Sequence, residues 1–183
     1  SYGLGNNGFN LNISLLDRKI MGVASFLEGS FYKPIIVKIN GNVGDWCAKR
    51  AKNIYMNLNG NSGNWLGWGL KHSEINVIGE LGKGSFSHAK GAVISVKGNV
   101  KIDFASGITD STIKMYGSAD KYCAEFAERC SFVSDNKELL DKIKNNVCYG
   151  CKYYFEKADG SVRPHDLKTR VYDLIKRNKN GTA

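Results

Sequence analysis

The chain has 183 residues with 21 glycines, 2 prolines and a formal net charge of +9, and 42% of its residues are hydrophobic. This length suits one domain, or one domain with a small appendage, that can bury a sizeable core. No apolar run approaches the roughly 20 residues that span a bilayer, and the chain start lacks the pattern of a secretory signal. We therefore expect a cytoplasmic protein with no membrane partner. Its five cysteines should be reduced thiols rather than a disulfide framework.

The chain begins with a polar, glycine-rich lead over residues 1–15 and then repeats itself with a fixed period. The segments VKINGNVGDW, MNLNGNSGNW, INVIGELGKG, ISVKGNVKID and IKMYGSADKY align without insertion or deletion. Their fifth residues, always glycine and always 19 residues apart, are Gly41, Gly60, Gly79, Gly98 and Gly117. Gly22 lies one period upstream and predicts a further, weaker turn. A constant period of this kind is typical of a solenoid.

The aligned units predict one short strand each. Apolar residues stand four and two positions before every glycine, and a mostly polar residue lies between them, as in Val37, Lys38 and Ile39. This alternation indicates a strand with one buried face. Two more columns, six and ten residues after the glycine, are largely apolar and begin with Cys47 and Ala51. Because one such unit cannot bury its apolar face alone, the units must stack on one another.

The predicted fold is mainly β, a parallel β-helix of about six or seven coils over residues 16–133. The repeated glycines should mark corners, where the chain adopts positive φ or where backbones approach closely. Trp46 and Trp65 share a column and should stack as their coils do. Trp68 lies in a mostly polar column, and we expect it to be an exposed contact.

Residues 134–183 predict a basic C-terminal extension that contains helix and covers the end of the coil. Ser134 or Asp135 is a plausible N-cap for a helix in SDNKELLDKIKNN. An aromatic strand followed by Asp159-Gly160 predicts a hairpin in CYGCKYYFEKADGS. A second helix is expected in RPHDLKTRVYDLIKRNKNG, with an apolar face made of Leu167, Val171, Leu174 and Ile175.

The repeat resembles a known family through NGNVGDW, NGNSGNWLGWGL, AKGAVISVKGN and, more faintly, DRKIMGVASFLEGS. It is similar to the GXGXG repeat domain at the C-terminal end of the glutamate synthase large subunit, which also occurs in the C subunit of formylmethanofuran dehydrogenase. The likeness covers roughly Leu16 to Phe132. It implies a right-handed β-helix that is not itself a catalytic centre. It also implies an architectural role, in which the domain braces or docks protein partners within a larger assembly.

Cys148 and Cys151 are the candidate metal ligands, because their two-residue spacing is that of half a zinc site. A second close pair of Cys or His is missing from the sequence, so partly buried thiols are the alternative. We otherwise expect no cofactor. Cys47 and Cys123 stand in a core column and should be structural.

No catalytic constellation is visible in the sequence, which favours a noncatalytic module over an enzyme. Two alternatives stay open. Basic groups such as KRAK (residues 49–52) and KRNK (residues 176–179) could bind nucleic acid, above all through the basic C-terminal region. A carbohydrate-active β-helix enzyme would need clustered carboxylates, whereas the acids here, such as Glu74 and Asp103, fall in separate columns.

Overall fold

The computed structural model describes residues 8–13 and 20–164 as a stack of parallel strands, which confirms the mainly β, solenoid prediction. The predicted second C-terminal helix lies outside the described residues. In the described part of the chain, no helix is long and apolar enough to cross a membrane.

Eleven strands and one helix are found in the described residues. They are β1 (Gly8–Asn12), β2 (Ile35–Asn40), β3 (Ile54–Asn59), β4 (Glu74–Ile78), β5 (Val93–Lys97), β6 (Thr112–Met115), β7 (Ala127–Glu128), β8 (Ser131–Ser134), α1 (Lys137–Lys144), β9 (Cys148–Tyr149), β10 (Lys152–Glu156) and β11 (Val162–Pro164). Nine strands form one sheet in the order β1-β2-β3-β4-β5-β6-β8-β10-β11, and β7 pairs with β9. All pairings are parallel except the last one of the large sheet, between β10 and β11.

Two further ladders of single-residue bridges join the coils on their other sides. One ladder runs through Ile20, Val43, Ser62, Leu81, Val100 and Ala119. The other runs through Glu28, Lys52, Lys71, Lys90, Thr109 and Glu128. Each ladder passes through six consecutive coils, in agreement with the predicted number of about six. Successive coils of a parallel stack lie about 4.8 Å apart.

The core occupies the inside of the coils, and its columns are those of the repeat. Strands β2 and β3 alternate between buried and exposed residues along their whole length. In the column that begins with Cys47 and in the column that begins with Ala51, every residue is fully buried: Leu66, Ser85, Phe104 and Cys123 in the first, and Leu70, Ala89, Ile108 and Ala127 in the second. The predicted core positions are confirmed.

The repeated glycines lie on top of one another at the corner that follows each strand. A Cβ added to Gly60, Gly79, Gly98 or Gly117 would lie 2.5 Å from the carbonyl carbon of the preceding glycine in the series. No side chain fits between backbones at that distance. Close approach of neighbouring coils, one of the two predicted reasons, therefore accounts for these four glycines. Positive φ, the other predicted reason, is found at Gly41 (117°), Gly60 (154°) and Gly79 (155°).

The first coil departs from the fixed period. Gly22 was predicted to share the corner of Gly41, but its N–H donates to the carbonyl oxygen of Asp45 (2.9 Å), and its φ of 65° matches the 64° of Trp46. The cause is an extra turn over residues 30–34, which shifts the register of everything before it. Glu28 pairs with Lys52, and the two are separated by more than one period of the repeat.

The C-terminal part of the described chain continues the stack. Helix α1 buries Leu139, Leu140 and Ile143 against the core, as its spacing predicts. Its N-cap is Asn136, whose side chain accepts from the Leu139 N–H (3.1 Å), and not the predicted Ser134 or Asp135. The predicted hairpin is formed by β10 and β11.

Candidate functional site

Cys148 and Cys151 lie beside a third thiol at the C-terminal end of the coil. Cys148 pairs with Ala127 across β9 and β7, and the Cys130 N–H donates to Cys151 Sγ (3.5 Å). Cys148 Sγ donates in turn to the Ala124 carbonyl (3.2 Å), and burial is the main cause that raises the pKa of Cys148. The thiol form is the one that donates, whereas a metal binds the thiolate.

The described residues contain no group of three or more His, Cys, Asp or Glu side chains arranged to hold a metal ion. This finding gives no support to zinc at Cys148 and Cys151, which stays a prediction. Metal analysis of the purified protein would test it, and stoichiometric zinc would confirm it. Cys47 and Cys123 are fully buried, and desolvation raises the pKa of each to about 12. Both therefore fit the structural role predicted for them.

The outward side of the large sheet is a broad face with apolar side chains in one column. Ile36 pairs with Tyr55, Tyr55 with Glu74, and Glu74 with Val93. Exposure reaches 39% for Ile36, 47% for Tyr55 and 46% for Val93. We call these three residues the apolar column. A rigid sheet that exposes such a column offers a surface against which another apolar surface can pack.

The same face carries a groove of about 260 Å³ at its N-terminal end. Asparagines supply most of its lining, together with Lys38, Leu11 and Ile39: Asn10, Asn12, Asn40, Asn57 and Asn59. The Asn76 side chain donates to Asn57 Oδ1 (3.2 Å), so amides of neighbouring coils hydrogen-bond along the stack. This groove lies close to the apolar column and adds donors and acceptors to the face.

A second side of the coil is basic, and its most regular feature was not predicted from the sequence. Lys52, Lys71 and Lys90 occupy successive coils in directly bridged positions. We call these three residues the lysine row. Its signal was present in the sequence as lysines that recur with the period of the glycines, but only the 49–52 end of it was singled out, as KRAK.

Tryptophans lie next to the lysine row. Trp46 and Trp65 stack with ring centroids 4.4 Å apart and planes at 14°, which confirms the predicted stacking. Trp68 was expected to be exposed but is half-buried, with its ring edge-on to Trp46 (6.4 Å) and His88 (5.8 Å). The cation of Lys49 lies 4.0 Å from the Trp46 ring, and that of Arg50 lies 5.2 Å from Trp68. The rings thus hold two more cations on this side of the coil.

Glu74 and Asp103, the two acids named in the sequence analysis, have separate partners in the described coils. Glu74 has Tyr55 and Val93 as its strand partners, and Asp103 forms an ion pair with Lys83 (3.5 Å). Scans of the chain against protein-family models, curated proteins and solved structures find no match. The resemblance to the GXGXG domain accordingly stays a prediction.

Proposed function

We propose that the solenoid is a noncatalytic interaction module of the cytoplasm, which docks a protein partner in a larger assembly through the broad face of its sheet. The observation that carries this proposal is the apolar column of Ile36, Tyr55 and Val93, exposed on β2, β3 and β5 of one parallel sheet. Glu74 on β4 lies between Tyr55 and Val93. The five free thiols suit a reducing compartment. The resemblance to the bracing domain of glutamate synthase supports the same role.

The structure suggests why this face would suit a partner. Its strands are tied to both neighbours by continuous parallel pairing, so binding would order little backbone and would cost little conformational entropy. Packing against the column would remove apolar surface from water, which contributes about 25 cal/mol per Å². The asparagine-lined groove beside it would supply hydrogen bonds at the rim of such an interface.

Affinity capture from the native cell extract at natural abundance, followed by mass spectrometry, tests this function. Val93→Glu places a charge in the apolar column, whereas Val147→Glu makes the same change at an equally exposed valine outside it (46% and 47% exposed). We expect amidotransferase, synthase or dehydrogenase subunits with the wild-type chain and with Val147→Glu, and their loss with Val93→Glu. Equal recovery with both variants, at equal melting temperatures, would refute docking through this face.

A further inference from the structure

The lysine row of Lys52, Lys71 and Lys90 places three like charges on directly paired positions. Coils at these positions are about 4.8 Å apart, and like charges directly opposite each other destabilise a pair of strands. Such a row needs negative charge nearby. Its counter-charges within the described chain therefore decide what else it could bind.

Among the described residues, negative charge reaches only the two ends of the row. Lys52 Nζ lies 2.7 Å from Glu28 Oε1, and Lys90 Nζ lies 3.9 Å from Asp110 Oδ2. Asp110 is already held by Arg129, whose Nε donates to it at 2.6 Å. Lys71, in the middle, forms no ion pair with any residue that the structure describes. The centre of the row thus has positive charge in excess.

Two further cations extend this excess towards the tryptophans. Lys49 and Arg50 belong to the same coil as Lys52, and their side chains rest on the Trp46 and Trp68 rings. Contact with a ring face restricts a long side chain without using its hydrogen-bond donors. A ligand with several negative groups would therefore meet cations that are partly ordered before it binds.

Exposed aromatic rings lie at the N-terminal end of the same side. The Phe26 N–H donates to the Lys49 carbonyl (2.8 Å), which places Phe26 beside Lys49 and Arg50, and its side chain is 63% exposed. Phe31 and Tyr32 form the tip of the extra turn, where Ser30 and Lys33 exchange two backbone hydrogen bonds (3.2 Å each). These two rings are 82% and 90% exposed.

The extra turn is anchored next to the lysine row. The Gly29 N–H donates to the Lys52 carbonyl (2.9 Å), and the Asn53 side chain donates to the Gly29 carbonyl (2.9 Å). Cations and exposed aromatic rings therefore share one side of the coil. A duplex would use only the cations, because it keeps its bases stacked inside. A single strand offers both phosphates and open bases.

We propose that this side of the coil binds single-stranded nucleic acid, with phosphates on the lysine row and Arg50 and with bases against Phe26 and Tyr32. The footprint covers the coils from Glu28 to Lys90. It ends where Thr109 and then Glu128 follow Lys90 in the same ladder of bridges. The four coils from Glu28 to Lys90 are separated by three steps of about 4.8 Å, about 14 Å in all. At about 3.4 Å per stacked nucleotide, this length suits about four nucleotides, the low end for such proteins.

Fluorescence anisotropy with labelled mixed-sequence 12-mers of RNA and DNA tests the proposal on the full chain. One triple variant changes the lysine row, Lys52→Gln, Lys71→Gln and Lys90→Gln. The control, Lys97→Gln, Lys114→Gln and Lys152→Gln, removes the same charge from strands of the large sheet outside the groove. We expect at least tenfold weaker binding for the first variant and less than a twofold change for the control. The slope of log K against the logarithm of salt concentration should become shallower by about 2, because each of the three lost phosphate contacts contributes about 0.7.

Melting curves and two further variants separate a loss of binding from a loss of folding. Melting curves establish that each variant is folded, and the single variant Lys71→Gln, which breaks no ion pair, should still weaken binding severalfold. Phe26→Ala with Tyr32→Ala should weaken binding to single strands but not to a 12-base-pair duplex. Equal loss in both triple variants, tighter binding of the duplex than of single strands, or no binding by the wild-type chain would each overturn the proposal.

Discussion

Replacement of Gly98 by alanine tests whether close stacking of the coils requires the glycine column. The added Cβ would lie 2.5 Å from the carbonyl carbon of Gly79 and closer still to its oxygen. Both are backbone atoms that cannot rotate away, so the two coils must separate by about 1 Å to restore an ordinary contact. That movement stretches the hydrogen bonds that join these coils beside the corner, from Gly79 N–H to the Lys97 carbonyl (3.1 Å) and from Leu81 N–H to the Asn99 carbonyl (2.9 Å).

The expected loss follows from these two effects. Overpacking a close contact costs about 1–3 kcal/mol, and weakening two backbone hydrogen bonds adds about 1 kcal/mol. We therefore expect Gly98→Ala to lower the free energy of unfolding by about 3 kcal/mol, a factor of roughly one hundred in the unfolding equilibrium. The Gly98 backbone lies outside the left-handed region, so conformational strain adds nothing to this value.

Gly160→Ala is the matched control, because it isolates the cost of left-handed backbone, which Gly98→Ala does not incur. Gly160 has a φ of 77°, and an added Cβ there would meet no atom within 4 Å. We expect Gly160→Ala to lower the free energy of unfolding by about 1 kcal/mol, from the left-handed backbone alone. Equilibrium urea unfolding, followed by far-UV circular dichroism and tryptophan fluorescence, measures both variants. If Gly98→Ala lost no more stability than Gly160→Ala, the reasoning from close approach would be wrong.

Three further outcomes are expected. Asn61→Ala should cost about 1 kcal/mol in urea unfolding and leave partner binding intact, because Asn61 Oδ1 accepts from the Glu80 N–H of the next coil (2.8 Å). Arg129 donates to Asp110 and so lowers its pKa. The contribution of this pair to stability is complete above the ordinary aspartate pKa of about 4 and is lost as the pH falls below it. Arg129→Met should therefore lower the urea midpoint at pH 7. The difference in midpoint between this variant and the wild-type chain should shrink below about pH 3. Cys47, whose pKa burial raises to about 12, should escape iodoacetamide in the native protein and react in urea, as followed by mass spectrometry.

The repeat was sufficient to predict most of the fold, because each column has one environment in every coil. Val37 and Ile39 are buried for the same reason as Ile94 and Val96. The five aligned units therefore show the residue preference of each structural position five times. Gly22 was misplaced because a fixed period cannot reveal an inserted turn. Asn136 was missed because three adjacent residues have similar capping preferences, and only the chain path selects one of them.

The basic side of the coil was harder to predict than the core. The periodic lysines are visible in the sequence, but their meaning depends on which side each column faces and on what lies beside it. The contact between Arg50 and Trp68 joins adjacent coils, and the place of Phe26 depends on the inserted turn. Both relations come from packing. The sequence therefore indicated a basic protein without locating its basic surface.

The glycines outside the corner column need a different explanation from left-handed backbone. Each coil contains a six-residue turn in which positions with positive φ recur, and many of them are not glycine, among them Trp46, Ala48 and Arg50. Left-handed backbone is thus tolerated by ordinary residues here. What distinguishes Gly67 and Gly84 is a ring from an adjacent coil, whereas Gly63 and Gly82 lie against the backbone of one. A Cβ on Gly84 would lie 2.6 Å from the Trp65 ring, and a Cβ on Gly67 would lie 2.6 Å from the Phe86 ring.

The histidines extend the same pattern. A Cβ on Gly91 would lie 2.7 Å from His72 Nδ1, and one on Gly107 would lie 2.9 Å from His88 Nδ1. A large ring in one coil thus occupies the space that a glycine leaves in its neighbour. Within residues 59–69 this pairing accounts for Gly67, whereas Gly60 and Gly63 lie against the backbone of the preceding coil. It also means that a glycine of the turn and the ring above it should tolerate substitution only as a pair.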